Sequence, residues 1–204
     1  MPRVSEAHLV ARRQQILEAA WRCFARNGFH ATSMQDIFAE SGMSAGAVYR
    51  YFPSKLELIK ATAGTITEGV GEVFGTIAQT EPVPSPAEAM EMVINTVSQL
   101  LTRKDVDLSK IAMHVWSEAL REPEVGAVVK ELALHVRQGW IDVLIRWKEA
   151  GHVRLDADPD SVAAFLYGTM VGYVAQRNLV GDVTADQYIA GFANLFAAAH
   201  DHER

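Results

Sequence analysis

Cysteine is almost absent: Cys23 stands alone in 204 residues, which excludes an intramolecular disulfide framework and fits a reducing compartment. No segment approaches the ~20 uninterrupted apolar residues that a membrane helix needs, and the opening run MPRVSEAHLVARRQQ has no long apolar stretch. The expectation is a cytoplasmic chain without a membrane partner. β-Branched alternating runs closed by hairpin turns are also missing, which argues against a sheet protein. A phosphate-binding Gly-rich loop, a Gly-x-Ser-x-Gly elbow and a paired-carboxylate motif are all lacking, so no enzyme is expected. The seven histidines form no i, i+4 pair with a nearby carboxylate, and His200-Asp-His202 sits in the terminal tail. Neither a metal nor a cofactor is expected.

What is present is ordinary globular material, 49% hydrophobic and 22% charged, unevenly distributed in charge. Residues 1–60 hold eight Lys/Arg (Arg3, Arg12, Arg13, Arg22, Arg26, Arg50, Lys55, Lys60) against five acids (Glu6, Glu18, Asp36, Glu40, Glu57), a balance of +3. The remaining residues hold 11 against 20, a balance of −9. Such a division suits a phosphate-facing N-terminal unit joined to an acidic body.

Helix punctuation recurs along the chain and predicts about nine helices. The first runs from Glu6 to Asn27 with Gly28 as its stop. The second begins at Thr32, where Thr32 and Gln35 can form a capping box, and ends at Gly42; Ser44 caps the third. Ser54-Lys-Leu-Glu57 opens a fourth helix reaching about residue 78, which carries Gly64, Gly69, Gly71 and Gly75 and should be pliable. Ser85-Pro86-Ala87-Glu88 opens the fifth after a proline-marked break, Asp107 caps the sixth, Pro123 opens the seventh, Asp158-Pro159 the eighth, and Thr184-x-x-Gln187 the ninth, ending near His200.

Two of these helices are short and separated by a glycine-led turn, Ser33–Glu40 and Ser44–Tyr51. That is a helix-turn-helix, in which the first helix braces on the phosphate backbone and the second lies in the major groove. Met34, Ile37, Phe38, Met43 and Val48 are spaced to pack against Ile16, Ala20 and Phe24. Arg50 is the side chain in the second helix able to make a bidentate contact to guanine, and it could equally neutralise a phosphate. Tyr49 or Tyr51 could instead be a core aromatic. Cys23 reads as packed in the first helix.

The run ILEAAWRCFARNGFHATSMQDIFAESGMSAGAVYRYFPSKLELI (Ile16–Ile59) resembles the DNA-binding domain of the TetR/AcrR family of one-component regulators. The Gly42-Met43-Ser44 turn, the Tyr49-x-Tyr51-Phe52 aromatics and Pro53-Ser54-Lys55 fall where that family places them. The resemblance implies base contacts at or near Ala45, Gly46, Ala47, Tyr49 and Arg50, and backbone contacts at Thr32, Ser33, Ser44, Tyr51 and Lys55. It implies an all-α fold: a three-helix helix-turn-helix domain over residues 1–53, a connecting helix over 54–78, and a ligand-binding and dimerising helical domain over 79–204.

The C-terminal helices supply apolar and aromatic residues that can line a cavity, of which Trp116, Trp140, Phe165 and Tyr173 are the candidates for a small hydrophobic effector. For each of them taken singly, core packing is the stronger reading. Ala164, Gly168 and Gly172, with the stripe Tyr188, Phe192, Leu195, Phe196 and Ala199, suit close packing across a two-fold axis, and the resemblance implies a homodimer through helices eight and nine. The expected function is a sequence-specific DNA-binding regulator, a repressor released from its operator by a ligand, with the fourth helix as lever. The alternative is a helical ligand carrier or enzyme whose N-terminal helices form an interaction module.

Overall fold

The computed structural model describes residues 6–103 and 106–197, and these form an all-α protein. The helices are α1 (Glu6–Ala31), α2 (Met34–Ser41), α3 (Ala45–Tyr51), α4 (Lys55–Gln79), α5 (Pro86–Leu101), α6 (Leu108–Ala119), α7 (Pro123–Ala150), α8 (Pro159–Leu179) and α9 (Ala185–Ala197). A single antiparallel pairing of β1 (Thr102–Arg103) with β2 (Val106–Asp107) leads into α6. It is too short to have left an alternating pattern in the sequence. No helix among the described residues is long and apolar enough to cross a membrane. Ala199, His200 and His202, assigned above to the last stripe and the tail, lie outside the described residues.

The predicted caps form at several helix starts. Ser85 and Glu88 exchange backbone-to-side-chain hydrogen bonds (2.8 and 3.3 Å), and Thr184 and Gln187 do the same (2.9 and 3.2 Å). Each satisfies two donors that the helix geometry leaves orphaned. Asp158 caps α8 by accepting from the Ser161 amide. The α2 cap is shifted by one residue from the expectation: Ser33 and Asp36 form the box, and Thr32 lies outside it.

Packing divides the chain into two compact units. The first comprises Met1–Thr65 with Thr102–Lys130, and the second Ile66–Leu101 with Glu131–Arg204. Helix α6 therefore packs with the helix-turn-helix, against α1. As a functional boundary, residues 1–53 with a connecting helix and a body from residue 79 stay our proposal.

In the first unit the predicted core forms. Ile16, Ala20, Phe24, Ile37 and Val48 have no exposed surface, while Met34, Phe38 and Met43 are half-buried. The second unit is built on Trp140, Trp147 and Tyr173, all essentially buried. Trp147 donates its indole N–H to the Pro84 carbonyl (2.7 Å), so the polar edge of a buried ring is satisfied by the turn before α5.

Candidate nucleic-acid interface

The helix α2 to α3 corner is made by Gly42, whose φ of 67° is the left-handed conformation that side chains resist and glycine accepts. Ser44 then caps α3 by accepting from the Ala47 amide (3.4 Å), and because its Oγ serves as acceptor its own O–H remains a donor. Helix α3 buries Val48 completely and exposes Ala45, Gly46, Tyr49 and Arg50. These four sit at i, i+1, i+4 and i+5, one face of a helix. Tyr49 is held edge-on against Phe38 of α2, ring centres 5.2 Å apart, so this aromatic is braced and still half exposed. Ala47 and Tyr51 lie half-buried at the flanks of that face.

The brace behind α3 is electrostatic as well as apolar. Glu40 of α2 receives Arg22 at 2.7 Å and Arg26 at 3.1 Å from α1. Hydrogen bonds from Arg22 first, then Arg26, hold its carboxyl below the ordinary value. Gln15 of α1 adds a bond from Nε2 to the Ser41 carbonyl (2.9 Å). A depressed folded pKa stabilises above the unfolded value and is lost as pH falls through the folded one, so this contribution is complete above about pH 5. Thermal melts followed by circular dichroism should therefore show the Glu40→Gln variant less stable at neutral pH and with a shallower decline between about pH 5 and pH 3. Parallel curves for the two proteins would remove Glu40 as the brace.

The pairing also revises the charge balance. Arg22, Arg26 and Lys60 sit on acids, leaving Arg12, Arg13, Arg50 and Lys55 as the described cations of the first sixty residues with no ion pair among the described residues. Arg12 donates to Gln15 (2.9 Å) and Arg13 stacks over the Phe52 ring at 5.0 Å.

Three of the expected backbone-contact residues are engaged within the fold. Thr32 is 1% exposed and its hydroxyl donates to the Gly28 carbonyl (2.7 Å), which corrects its assignment as a phosphate contact: the side chain braces the α1–α2 corner. Ser33 is exposed, but its O–H and N–H both donate to Asp36 Oδ2 (2.7 and 2.8 Å), and these bonds, the backbone one foremost, keep Asp36 ionised below the usual range. Lys55 donates Nζ to the carbonyls of Phe29 (2.9 Å) and His30 (3.3 Å) and lies 4.6 Å over the Phe29 ring. Burial lowers its pKa, and two of its three N–H donors are already used to close the end of α1.

The sequence model described as bacterial regulatory proteins of the TetR family matches residues 16–62, which span α2, the Gly42 turn and α3. Over 86% of the chain and 87% of the relative, the sequence is 29% identical to the HTH-type transcriptional repressor Rv1474c of Mycobacterium tuberculosis. Residues 16–62 are a TetR-family DNA-binding segment.

The fold of this regulator is shared with Salmonella enterica GusR, at TM-score 0.77 and 22% identity over 97% of this chain and 98% of that one. A structure described as a SmeT–triclosan complex matches at TM-score 0.76 and 22% identity over 93% and 91%. The protein is a helix-turn-helix transcriptional regulator and not an enzyme.

The four residues expected to touch an effector are divided between the two units. Trp116 is half-buried in the first unit, whereas Trp140, Phe165 and Tyr173 belong to the second. Trp140 is fully buried with its indole N–H on Met170 Sδ (3.3 Å), and Tyr173 donates to Ser98 Oγ (3.3 Å). Phe165 is 64% exposed and lines an open groove on α8 and α9 with Tyr188, Phe192 and Leu195. Its exposure sets it apart from the buried Trp140 and Tyr173. Cys23 is buried, and burial first of all raises its thiol pKa, the opposite of what a redox-reactive thiolate requires.

Gly46 gives a clean test of the exposed face. A Cβ built there meets nothing within 4 Å, so Gly46→Ala should leave melting unchanged or raise stability by about 0.5–1 kcal/mol. Operator affinity should fall nonetheless, because the added methyl stands on the surface offered to the groove. Unaltered affinity in fluorescence anisotropy would take Gly46 off the DNA.

Proposed function

We propose that this regulator is a repressor that binds a two-fold operator as a homodimer and leaves it when a small, largely apolar effector binds the second unit. The observation that carries the DNA half of this reading is the α3 face: Ala45, Gly46, Tyr49 and Arg50 exposed together on a helix whose opposite side is anchored by Val48. A helix fits the major groove, Ala45 or Ala47 can meet a thymine methyl, and Arg50 can bridge guanine O6 and N7. Ser44 with its free O–H, Tyr51 and the remaining donor of Lys55 are the phosphate anchors, with Ser33 near enough to contribute only by exchanging its bond to Asp36.

Support for the dimer comes from Phe165, Leu179, Val180 and Leu195, all at least 64% exposed on or beside α8 and α9. Single chains rarely leave such a set uncovered. Support for an effector comes from the triclosan complex of a protein with the same fold, and release follows if the effector binds one of two interconverting forms more tightly than the other.

Selection of duplexes from a random pool followed by footprinting tests the reading. It should return an inverted repeat with half-sites centred about one helical turn, ~34–36 Å, apart or a multiple of it. Retention without sequence preference would overturn it.

A further inference from the structure

Glycine in a helix interior costs about 1 kcal/mol relative to alanine, and α4 carries several. At Gly69 packing explains the residue, since a Cβ would stand 2.6 Å from Leu100 Cδ2. At Gly75 an added Cβ meets nothing within 4 Å, and at Gly71 it meets His135 Nε2 at an ordinary 3.8 Å. The fold has no use for the missing methyl at either position. Both glycines line a cleft of about 380 Å³ between α4 and α7, inside the second unit. That volume falls within the range of small-molecule sites.

The walls have a definite chemistry. Phe74 lies directly on Gly139, where a Cβ would come 2.3 Å from its Cδ2, and stands edge-on to Trp140 at 5.2 Å between ring centres. Bare helix backbone and this ring offer flat apolar surfaces. At one end Arg146 donates to the Ile77 carbonyl (2.6 Å) and the Thr80 carbonyl (3.2 Å), closing the end of α4, and pairs with Glu81. Its charge is offset there. Asp142, one turn earlier on α7, is exposed, and its Oδ1 accepts from Gln138 Nε2 (3.0 Å). Its carboxylate is the acceptor-only group of the lining, and no cation pairs with it among the described residues.

We infer that this cleft is the effector site and that its ligand is a flat, largely apolar molecule bearing a cationic or hydrogen-bond-donating group that meets Asp142. The inference rests on the proposed effector response. A molecule seated between Gly75 and Gly139 presses on Phe74, and through Phe74 on the buried Trp140, so the site touches the core without lying in it.

Isothermal titration of the full chain with 2-naphthylmethylammonium chloride and with 2-naphthoate tests the charge preference on one ring body. The cation should bind at least about tenfold more tightly than the carboxylate, the gap closing to under about threefold in Asp142→Asn. Gly75→Leu, whose Cβ would meet nothing within 4 Å, should keep the melting temperature and operator affinity and lose the cation. Equal or tighter binding of the carboxylate, a gap unmoved by Asp142→Asn, unchanged cation affinity in Gly75→Leu, or no heat from either probe at millimolar concentration would each overturn the proposal. A cation that binds in this pattern and leaves the operator complex intact overturns the assignment as effector site. Failure of the chain to bind any operator overturns the regulatory reading instead, and leaves the cleft result as it is.

Discussion

Arg50→Ala should weaken operator binding by roughly 5- to 150-fold, the equivalent of the ~1–3 kcal/mol that a bidentate guanine contact discriminates. Helix α3 presents few side chains able to read bases, because Ala45, Gly46 and Ala47 carry no hydrogen-bonding side-chain group. Arg50 is exposed, stands near the end of α3 beside Tyr49, and makes no ion pair among the described residues. It is therefore available to DNA, unlike Arg22 and Arg26, which Glu40 has claimed. The expected signature is loss of discrimination at one base pair in each half-site. Arg50→Lys, which keeps the charge but not the planar fork, should lose the same discrimination while retaining more of the total affinity. Uniform weakening over all sequences, with the salt slope reduced by about one per recognition helix, would instead make Arg50 a phosphate contact.

Phe165→Glu combined with Leu195→Glu should turn a dimer into a monomer at micromolar concentration and reduce operator affinity by about 100-fold or more. The argument runs from exposure to avidity. Both side chains are largely solvent-exposed in the single chain, at 64% and 75%, so their replacement removes nothing from its core and the fold should survive. A carboxylate on each side of a two-fold interface is both desolvated and set near its symmetry mate, so association fails. Each half-site then binds alone and loses the effective concentration that linkage supplies. Light scattering and anisotropy on the same samples check both steps; a dimer that persists would move the interface away from α8 and α9.

Much of the first unit was legible because it obeys local rules. The Gly42 turn, the Ser44 cap and the inward set Ile16, Ala20, Phe24, Ile37 and Val48 follow from spacing that a helix imposes on its own neighbours. The capping shift at α2 was missed because Thr32 and Ser33 are both competent caps. The choice fell to Ser33 once Gly28, at φ 77°, turned its carbonyl toward the Thr32 hydroxyl. Lys55 shows the same limit: beside a recognition helix it has the composition of a phosphate anchor, and only the folded chain shows that two of its three donors go to the carbonyls of Phe29 and His30.

By itself the sequence determined an all-α chain, the helix-turn-helix at Ser33–Tyr51 and the family that residues 16–62 match. These are set by periodicity, capping and turn chemistry within a few residues of one another. The tertiary structure alone decided which cations are spent, that Phe165 faces outward while Trp140 and Tyr173 are core, and that Gly69 is a packing requirement while Gly71 and Gly75 border a cleft. Apart from Lys60, which pairs with Glu57 one turn away, these depend on partners between about 14 and 75 residues distant, and a pairing at that separation leaves no pattern in the sequence for either residue to announce.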